Sequence, residues 1–283
     1  MRVSTEPAPG SLYIVATPIG NLADITLRAL EVLRGVDWIA AEDTRTSRKL
    51  MDHYQISTPL IACHEHNEQF MAAGMVARLK QGECGALISD AGTPLISDPG
   101  YRLARVCVAA EVPLVPIPGA SSVMTALCAC GLPPHPFLFV GFLPRSGGGR
   151  ERRLQAIVDA PHTVVVLESP RRVAATLEDL VRLGGENHFA VMARELTKLH
   201  ETFVRGSVET LLTQVRATPP KGEVVLLFAP PDQDAVREVG DADILSRLSA
   251  LDAGQHSASQ RAKAVAQQLG ISKQRVYDLL HGE

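Results

Sequence analysis

The sequence predicts an α/β protein built from two α/β domains and a small C-terminal helical unit. Two observations carry this prediction. Short continuous apolar runs alternate with segments of helical periodicity along most of the chain, and such runs are typical of strands covered on both faces. A proline-rich stretch, GLPPHPF, interrupts the series and indicates a linker. The predicted boundaries are a loose N-terminal tail over 1–10, α/β domains over 11–130 and 137–232, and a helical unit over 242–283.

Each predicted element of the first domain follows from its local sequence. Apolar runs predict strands and apolar residues at helical spacing predict helices. The strands are expected at 12–16, 38–41, 86–89 and 114–117, and the helices at 22–33 and 99–110. This alternation predicts a parallel sheet. In the second domain TVVVLESPRR, FAVMAREL and GEVVLLFAP predict further strands, and we expect a mixed sheet there.

Composition and charge limit the function classes. The chain has 283 residues and a net charge of −3, so a nucleic-acid contact would have to come from local basic patches. Its five cysteines are an odd number scattered through apolar contexts, which favours a reducing, cytoplasmic setting over a disulfide framework. The N-terminus has no signal-like apolar core. Prolines and a glycine break the longest apolar stretch, 112–134, so no membrane contact is expected.

Small polar or glycine-rich loops follow all four predicted strands of the first domain. They read TPIGN, AEDTR, SDAGTP and PGASS. Ligands of open α/β sheets collect at the carboxyl ends of the strands, and loop N–H groups there can hold carboxylates. A single loop of this type is most simply a turn, whereas four at one edge favour a small-molecule site. None matches the GxGxxG or GxxxxGK[ST] phosphate-binding patterns.

A series of long motifs then adds a family resemblance. In order they are LYIVATPIGNLADITLRAL, AAEDTRTSRKL, HEHNE, ALISDAGTPLISDPG, VPIPGASSV, FVGFLPR, LESPRRV, RELTKLHETFVRG and KGEVVLLF. From about residue 11 to the end, the chain resembles the rRNA ribose 2′-O-methyltransferase branch of the tetrapyrrole methylase superfamily. The resemblance implies two α/β domains of that type, with a cleft between them that binds S-adenosylmethionine.

The same resemblance implies the acceptor and the assembly. The acceptor would be a cytidine ribose in the decoding region of small-subunit rRNA, either as naked RNA or in the assembled small ribosomal subunit. The protein would be a homodimer, and no metal is expected. SDAGTP stands where the corrinoid branch has a GDP-type loop, which points away from a tetrapyrrole substrate.

The resemblance also implies which residues hold the donor. Carried onto this chain, the matching positions are Pro18, Ser89, Asp90, Thr93, Ser121 and Ser122 in the first domain, and Glu168 and Leu226 in the second.

Methyl transfer to a ribose hydroxyl requires alignment and help with a proton. A sulfonium is already a good leaving group, but a hydroxyl is a poor nucleophile at neutral pH, so a general base or a nearby cation would help. The candidates are Glu42, Asp43, Glu195 and Lys198. Glu195 and Lys198 could equally be an exposed ion pair. The HEHNE segment is interpreted as a polar substrate-contact loop, because no second Cys/His pair accompanies it at metal-ligand spacing.

Three local patches could bind RNA phosphates. The first patch, PRSGGGRERR, is expected to be a flexible loop carrying arginines at 145, 150, 152 and 153. The second patch, TRTSRK, follows the second predicted strand. The C-terminal unit resembles a helix-turn-helix that could bind nucleic acid or simply pack helices. The predicted RNA-binding residues are Arg45, Arg145, Arg150, Arg152, Arg153, Arg261, Lys263, Lys273 and Arg275.

Two other functions compete with rRNA methylation. A tetrapyrrole methylase of the same superfamily would need neither the arginine-rich segment nor the C-terminal unit. A non-enzymatic DNA-binding regulator would use the C-terminal unit and treat the α/β part as an effector sensor. The full set of strand-end loops and the RELTKLHE motif oppose the regulator.

Overall fold

The computed structural model describes residues 6–231, 244–245, 247–248, 257–269 and 273–281. Residue contacts divide the chain into two compact units, Met1–Pro231 and Asp232–Glu283. The first unit contains both sheets.

The first sheet has five parallel strands in the order β3-β2-β4-β1-β5. They are β1 Leu12–Val15, β2 Trp38–Ala41, β3 Leu60–Ala62, β4 Gly85–Ile88 and β5 Leu114–Ile117. The predicted strands and their parallel arrangement are therefore confirmed. The short edge strand β3 was not predicted, because three residues are too few to show a period.

Helices cover both faces of this sheet. They are α1 Leu27–Gly35, α2 Thr44–His53, α3 Glu68–Lys80 and α4 Tyr101–Ala109; a fifth helix, α5 Ser122–Cys130, follows β5. The predicted helix over 22–33 is instead a 3-10 turn at Leu22–Asp24 followed by α1, because the hydroxyl of Thr26 caps the amide of Ala29. The first two helices pack on one face of the sheet, and α3 and α4 pack on the other.

The second sheet is mixed, as predicted. Its order is β6-β7-β10-β8-β9, with β6 and β7 parallel and the other pairs antiparallel. The strands are β6 Phe137–Phe142, β7 Thr163–Glu168, β8 Phe189–Arg194, β9 Thr202–Ser207 and β10 Val224–Phe228. The helices are α6 Gly148–Val158, α7 Val173–Arg182 and α8 Val208–Ala217, and they pack on one face.

Helix α5 joins the two sheets. Its buried residues Val123 and Leu127 share a core with Val165, Val225 and Leu227 on the second face of the second sheet. We define the first half of the molecule as β1–β5 with α1–α5, and the second half as β6–β10 with α6–α8. Ile19 and Ala120, in loops at the carboxyl edge of the first sheet, pack in the same core, so this edge lies against the second half.

The C-terminal unit contains helices α9 Ala258–Leu269 and α10 Lys273–His281. Val265 and Val276 are buried in its small core and Leu279 packs against it, as predicted. The other predicted core side chains, Leu269 and Ile271, lie outside the described residues. So does Ser272, the predicted cap of α10.

The prediction of a loose N-terminal tail is wrong for the part that the structure describes. The amide of Ala8 donates to the Tyr13 hydroxyl, and the amide of Gly10 donates to the carbonyl of Glu83. Residues 1–5 lie outside the described range. Within the described residues, every helix is too short or too polar to cross a membrane.

Candidate functional site

The four strand-end loops of the first half meet at one edge, and the loop after the central strand β4 connects them. Thr17 and Gly92 exchange two backbone hydrogen bonds of 2.9 and 3.0 Å, which pairs the TPIGN and SDAGTP loops. The Thr93 hydroxyl donates to the carbonyl of Ala120, 3.1 Å away, and ties in the PGASS loop. The expected convergence of the loops is therefore present.

The loop after β4 follows an unusual backbone path. Leu95 and Ser97 have φ values of 71° and 68°, and Gly92 and Gly100 have 82° and 119°. Side chains rarely adopt this left-handed region, and such residues cluster at functional sites where the surrounding structure holds them. Glycine adopts this conformation freely at positions 92 and 100, whereas the surrounding structure has to hold Leu95 and Ser97 in it.

A cleft of about 360 Å³ lies between this loop and the second sheet. Its apolar wall includes Ile19, Ile96, Phe142, Leu167 and Val225, and its polar lining includes Ser97, Asp98, Ser122, Glu168, Ser169 and Glu223. A recess of about 30 Å³ adjoins it and is lined by Thr93 and Ser121. Four predicted donor-binding residues, Thr93, Ser121, Ser122 and Glu168, therefore line the cleft or its recess.

The sequence prediction missed several lining residues. Asp98 belongs to the same motif as Asp90 but was not selected, although the repeated SD dipeptide was a usable signal. Phe142 and Glu223 carry no comparable local signal, because they reach the cleft only through the packing of the second half on the first.

Leu226 was predicted to hold the donor, but the structure turns it away. Successive residues of a strand point to opposite faces, so Val225 faces the cleft while Leu226 is fully buried among the helices on the other side. Pro18, Ser89 and Asp90 do not line the cleft in this structure. They lie in the strand-end loops beside it, where Ser89 is buried and Asp90 is exposed.

Glu168 lines the cleft with its carboxylate already engaged. The carboxylate accepts hydrogen bonds from the amide of Ser169 and the hydroxyl of Thr176, both at 2.8 Å, and pairs with Arg172 at 3.4 Å. A buried charge with three partners holds the β7–α7 turn in place. Glu168 thus shapes the wall more than it offers a free ligand group.

Three carboxylates gather near the floor of the cleft. Burial raises the pKa of Glu42, and the nearby charges of Asp90 and Asp98 raise it further. Burial also raises the pKa of Asp98, to which the charge of Asp90 adds. Carboxylates that share a site disfavour one another's ionised form. The region can therefore attract a cation, and it holds a carboxylate suited to accept a proton.

Asp43 differs from the adjacent Glu42 in its contacts. It is the N-cap of α2, its side chain accepts from the amide of Arg45 at 2.8 Å, and it pairs with the Arg45 guanidinium at 2.8 Å. These contacts lower the pKa of Asp43. Its own amide donates to Asp90 at 3.0 Å, which ties the AEDTR loop to the loop after β4. Asp43 is therefore a weak proton acceptor that anchors two loops.

Glu195 and Lys198 form an ion pair beside the cleft. The Lys198 ammonium lies 2.9 Å from Glu195 and 3.2 Å from Glu223, which lines the cleft. The hydrogen bond from Lys198 lowers the pKa of Glu195. Burial acts to lower the pKa of Lys198, but its bonds to the two glutamates outweigh burial and raise it. The pair is thus a stable cation and a weak base.

Two glycines bring this pair close to the backbone. A Cβ on Gly20, in the TPIGN loop, would overlap the Lys198 side chain, and a Cβ on Gly222 would overlap the Glu195 carboxylate. Gly222 also has a φ of 81°. The RELTKLHE motif is therefore packed against both halves of the molecule, at the rim where Ile19 enters the cleft.

The arginine-rich segment is mostly helix, so the prediction of a flexible loop is wrong. Arg150 is only 8% exposed and pairs with Asp179 at 2.9 Å while also donating to Thr176 and to the carbonyl of Pro144. Such a buried guanidinium cannot meet a phosphate as placed. Arg145, Arg152 and Arg153 are exposed.

The other predicted basic residues vary in exposure. Arg45 is exposed in the first turn of α2, and Lys263 is exposed on α9, where Arg261 is half-buried. The side chains of Lys273 and Arg275 lie outside the described residues.

The HEHNE segment forms the turn that leads into α3. Asn67 accepts from the amide of His64 and donates to the carbonyl of Ala62, and the buried Glu68 accepts from the amide of Leu103. These bonds link the starts of α3 and α4. Across the described part of the chain, no three His, Cys, Asp or Glu residues are grouped to hold a metal ion.

Comparison with known proteins gives matches over most of the chain. Residues 11–212 match the family of tetrapyrrole (corrin/porphyrin) methylases. A ribosomal RNA small subunit methyltransferase I from Escherichia coli O157:H7 is 46% identical over 277 residues, which cover 97% of this chain and 96% of that protein. The protein of the same name from Synechocystis is 40% identical over 270 residues, which cover 95% of this chain and 97% of that protein.

Solved structures share the fold at low identity. Cobalt precorrin-4 methyltransferase, a cobalamin biosynthetic enzyme, has a TM-score of 0.61 and 18% identity over 78% of this chain and 95% of its own. Uroporphyrin-III C-methyltransferase from Thermus thermophilus, complexed with S-adenyl homocysteine, has a TM-score of 0.57 and 18% identity over 77% and 97%. With the fold matched by these structures and the full-length sequence by the curated relatives, the chain belongs to the ribosomal RNA small subunit methyltransferase I family of the tetrapyrrole methylases.

Proposed function

We propose that this methyltransferase uses S-adenosylmethionine to methylate the 2′-oxygen of a cytidine ribose in the decoding region of small-subunit rRNA. The observation that carries the proposal is the cleft at the strand ends of the first half, with carboxylates near its floor and the Lys198 ammonium at its rim. The names of the relatives supply the substrate class, small-subunit rRNA.

The lining of the cleft fits this donor. S-adenosylmethionine, when bound, supplies an electrophilic methyl carbon on a sulfonium sulfur. Asp98 would hold its ammonium or ribose hydroxyls, and Ser122 at the start of α5 would hold its carboxylate. Ile96 and Phe142 offer apolar surface for the adenine. Thr93 and Ser121 would contribute from the adjoining recess, while Ser89 and Asp90 support the loop beneath.

Glu42 is the proposed proton acceptor for the ribose hydroxyl. Efficient general bases have a pKa brought toward the operating pH, and burial with two neighbouring carboxylates moves the pKa of Glu42 in that direction. The pKa values of Asp43 and Glu195 move the opposite way. Of the three carboxylates predicted to be catalytic, Glu42 is therefore the best base.

Lys198 is the proposed cation that stabilises negative charge developing on the acceptor oxygen. Its raised pKa keeps the ammonium protonated at neutral pH. A fixed cation in a partly water-excluded site can stabilise an oxyanion strongly. Glu195 holds that ammonium in position at 2.9 Å and does not itself take part in proton transfer.

The exposed arginines would hold the RNA. Arg45, Arg145, Arg152 and Arg153 supply local positive charge on a chain whose net charge is −3. We also propose contacts from Arg261, Lys263, Lys273 and Arg275 of the C-terminal unit. The protein is expected to act as a cytoplasmic homodimer, an assembly that sedimentation equilibrium measures directly.

The decisive experiment offers radiolabelled S-adenosylmethionine with four acceptors in parallel: assembled small subunits, naked rRNA, a porphyrinogen and duplex DNA. We expect label in RNA, at one nucleotide that resists alkaline cleavage, which is the signature of a blocked 2′-hydroxyl. Label in the porphyrinogen alone would show that the acceptor is not RNA, although the protein would still be a methyltransferase. Binding to duplex DNA without transfer to any acceptor would overturn the enzyme assignment.

A further inference from the structure

The connection between β8 and β9, residues 195–201, has a backbone that must be held in place. Glu195 and Thr197 have φ values of 52° and 65°. Residues other than glycine seldom adopt this left-handed conformation unless their surroundings hold them in it. The surrounding contacts therefore determine the shape of this loop.

Hydrogen bonds hold the loop from within and from the side. The amide of Thr197 donates to the Glu201 carboxylate at 2.6 Å, and the amide of Glu223 donates to Glu195 at 3.0 Å. Leu196, only 5% exposed, is part of the core shared with α5. Together with the tight approaches at Gly20 and Gly222, these contacts fix the loop against both halves.

This fixed loop presents an apolar side chain to solvent. Leu199 is 93% exposed, between the buried Leu196 and the anchoring Glu201. A single exposed leucine is common on protein surfaces and means little alone. Here, however, the backbone is immobilised, so the side chain is held out at a defined place.

Leu199 directly follows the residue that contacts the rim of the cleft. Lys198 packs on Gly20, next to Ile19 of the cleft wall, and pairs with Glu223 on the opposite part of the lining. The exposed His200 follows on the other side. An apolar tip next to a cation suits a nucleic-acid strand, whose bases are apolar on their faces and whose phosphates are negative.

We propose that Leu199 is a wedge that enters the base stack next to the acceptor nucleotide and turns its ribose into the cleft; this inference rests on the proposed function. A stacked nucleotide cannot bring its 2′-oxygen to a methyl group inside a cleft. Proteins that displace nucleotides insert apolar side chains, leucine among them, between neighbouring bases. Leu199 is thus a positioning residue, distinct from the donor-binding groups and from Lys198.

The test compares Leu199→Ala with wild type on two acceptors. Small subunits are reconstituted with rRNA in which the nucleotide 3′ to the acceptor is either normal or abasic. We expect Leu199→Ala to lower kcat/KM by about 10- to 100-fold on the normal subunit, because the variant cannot compensate for unstacking. On the abasic subunit, where that stack is already broken, we expect a loss of less than about threefold.

Two further readouts separate the wedge from a structural role. A 2-aminopurine placed next to the acceptor should brighten when wild type binds but not when Leu199→Ala binds. Leu199→Met, which keeps an apolar tip, should restore most of the rate and the fluorescence change. Val108→Ala, an exposed apolar residue in the last turn of α4, should behave as wild type.

Several outcomes would overturn the inference. If Leu199→Ala lost the same rate on the normal and the abasic subunit, or lost none on either, Leu199 would not act as a wedge. A Leu199→Ala protein that sediments differently from wild type would assign the side chain to contact with a second copy. If wild type methylates RNA without any fluorescence rise, the wedge fails and the proposed function stands. If wild type methylates neither subunit, both fail.

Discussion

The two halves of the molecule hold their parts of the cleft by different means. In the first half each tie between loops uses at least one main-chain group: Thr17 and Gly92 pair through their backbones, the Thr93 hydroxyl donates to a carbonyl, and the amide of Asp43 donates to the Asp90 carboxylate. In the second half, charged side chains make most of the ties. Examples are the pairs Arg150–Asp179, Arg172–Glu168 and Lys198–Glu195.

This difference follows from topology. Parallel strands bring all their carboxyl ends to one edge, so neighbouring loops can pair directly through backbone groups. In the mixed second sheet the loops that reach the cleft come from strands of opposite direction. The amide of Glu195, after β8, donates to the carbonyl of Glu223, before β10, and ion pairs between charged side chains add to this backbone tie. The comparison predicts that single side-chain changes disturb the shape of the second half more than that of the first.

The largest expected effect is on catalysis from the first half. Glu42→Gln should lower kcat by about 10²- to 10⁴-fold, the usual range for loss of a general base. The fold should nevertheless survive, because the main chain carries the ties between loops. We expect the thermal midpoint to rise slightly at pH 7, since the change removes one of three mutually repelling carboxylates.

The pH dependence of the thermal midpoint tests whether the ionised Glu42 carboxylate destabilises the folded protein. The folded-state pKa of Glu42 is raised, so the folded protein binds more protons than the unfolded chain between the two pKa values, and stability falls as pH rises through them. The advantage of Glu42→Gln should therefore be largest above the folded pKa and vanish below the unfolded one. The exposed Glu65→Gln is the control. A Glu42→Gln protein that is destabilised at pH 7 would contradict the expectation.

The next effect comes from the second half. Lys198→Met should lower kcat by about 10²- to 10³-fold, as expected for removal of a group that stabilises an oxyanion. Calorimetry should show donor affinity within about twofold of wild type, because the donor is proposed to bind elsewhere in the cleft. Lys80→Met, an exposed cation at the end of α3, serves as control. If Lys198→Met weakened donor binding and left kcat unchanged, Lys198 would be a donor-binding residue and not the cation that stabilises the acceptor oxygen.

A stability effect tests the charge ties of the second half. Arg150→Met should lower the free energy of unfolding by about 3 kcal/mol, because it leaves Asp179 without its less exposed partner. Arg182→Met is a matched control, since Arg182 pairs with the same carboxylate but its side chain is 67% exposed. Denaturant titration should show a change of only about 0.5 kcal/mol for the control. Equal losses of unfolding free energy in Arg150→Met and Arg182→Met would show that the buried ion pair contributes no more than the exposed one.

The smallest effect concerns the exposed face of α6. Replacing Arg152 and Arg153 with glutamine should weaken RNA binding a few-fold and reduce its salt slope by about 1 to 2. Stability should stay within about 0.5 kcal/mol, because both side chains are exposed. The double variant Arg182→Gln, Arg216→Gln gives the baseline for exposed arginines of the neighbouring helices. An unchanged slope would show that α6 does not contact phosphates.

Motif positions predicted part of the cleft lining in each half: Thr93, Ser121 and Ser122 in the first, and Glu168 in the second. The strand-end loops are continuous with apolar runs, so their convergence follows from a parallel sheet, and Ser122 and Thr93 were identified through motif position. The motif around Leu226 gives the strand but not which face each residue takes, and its side chain lies on the face covered by helices. Arg150 was placed wrongly because a run of glycines and arginines suggests a loop, whereas Asp179, distant in sequence, buries the guanidinium.

Local sequence patterns predicted the fold class, the mixed character of the second sheet, the loops that meet at one edge and the family. These depend on local periodicity and on motifs that are contiguous along the chain. Tertiary packing sets the raised pKa of Glu42, the exposure of Arg152 and Arg153, and the exposure of Leu199 next to Lys198. Each of these depends on burial and on charges brought together from distant segments, and local sequence does not encode them.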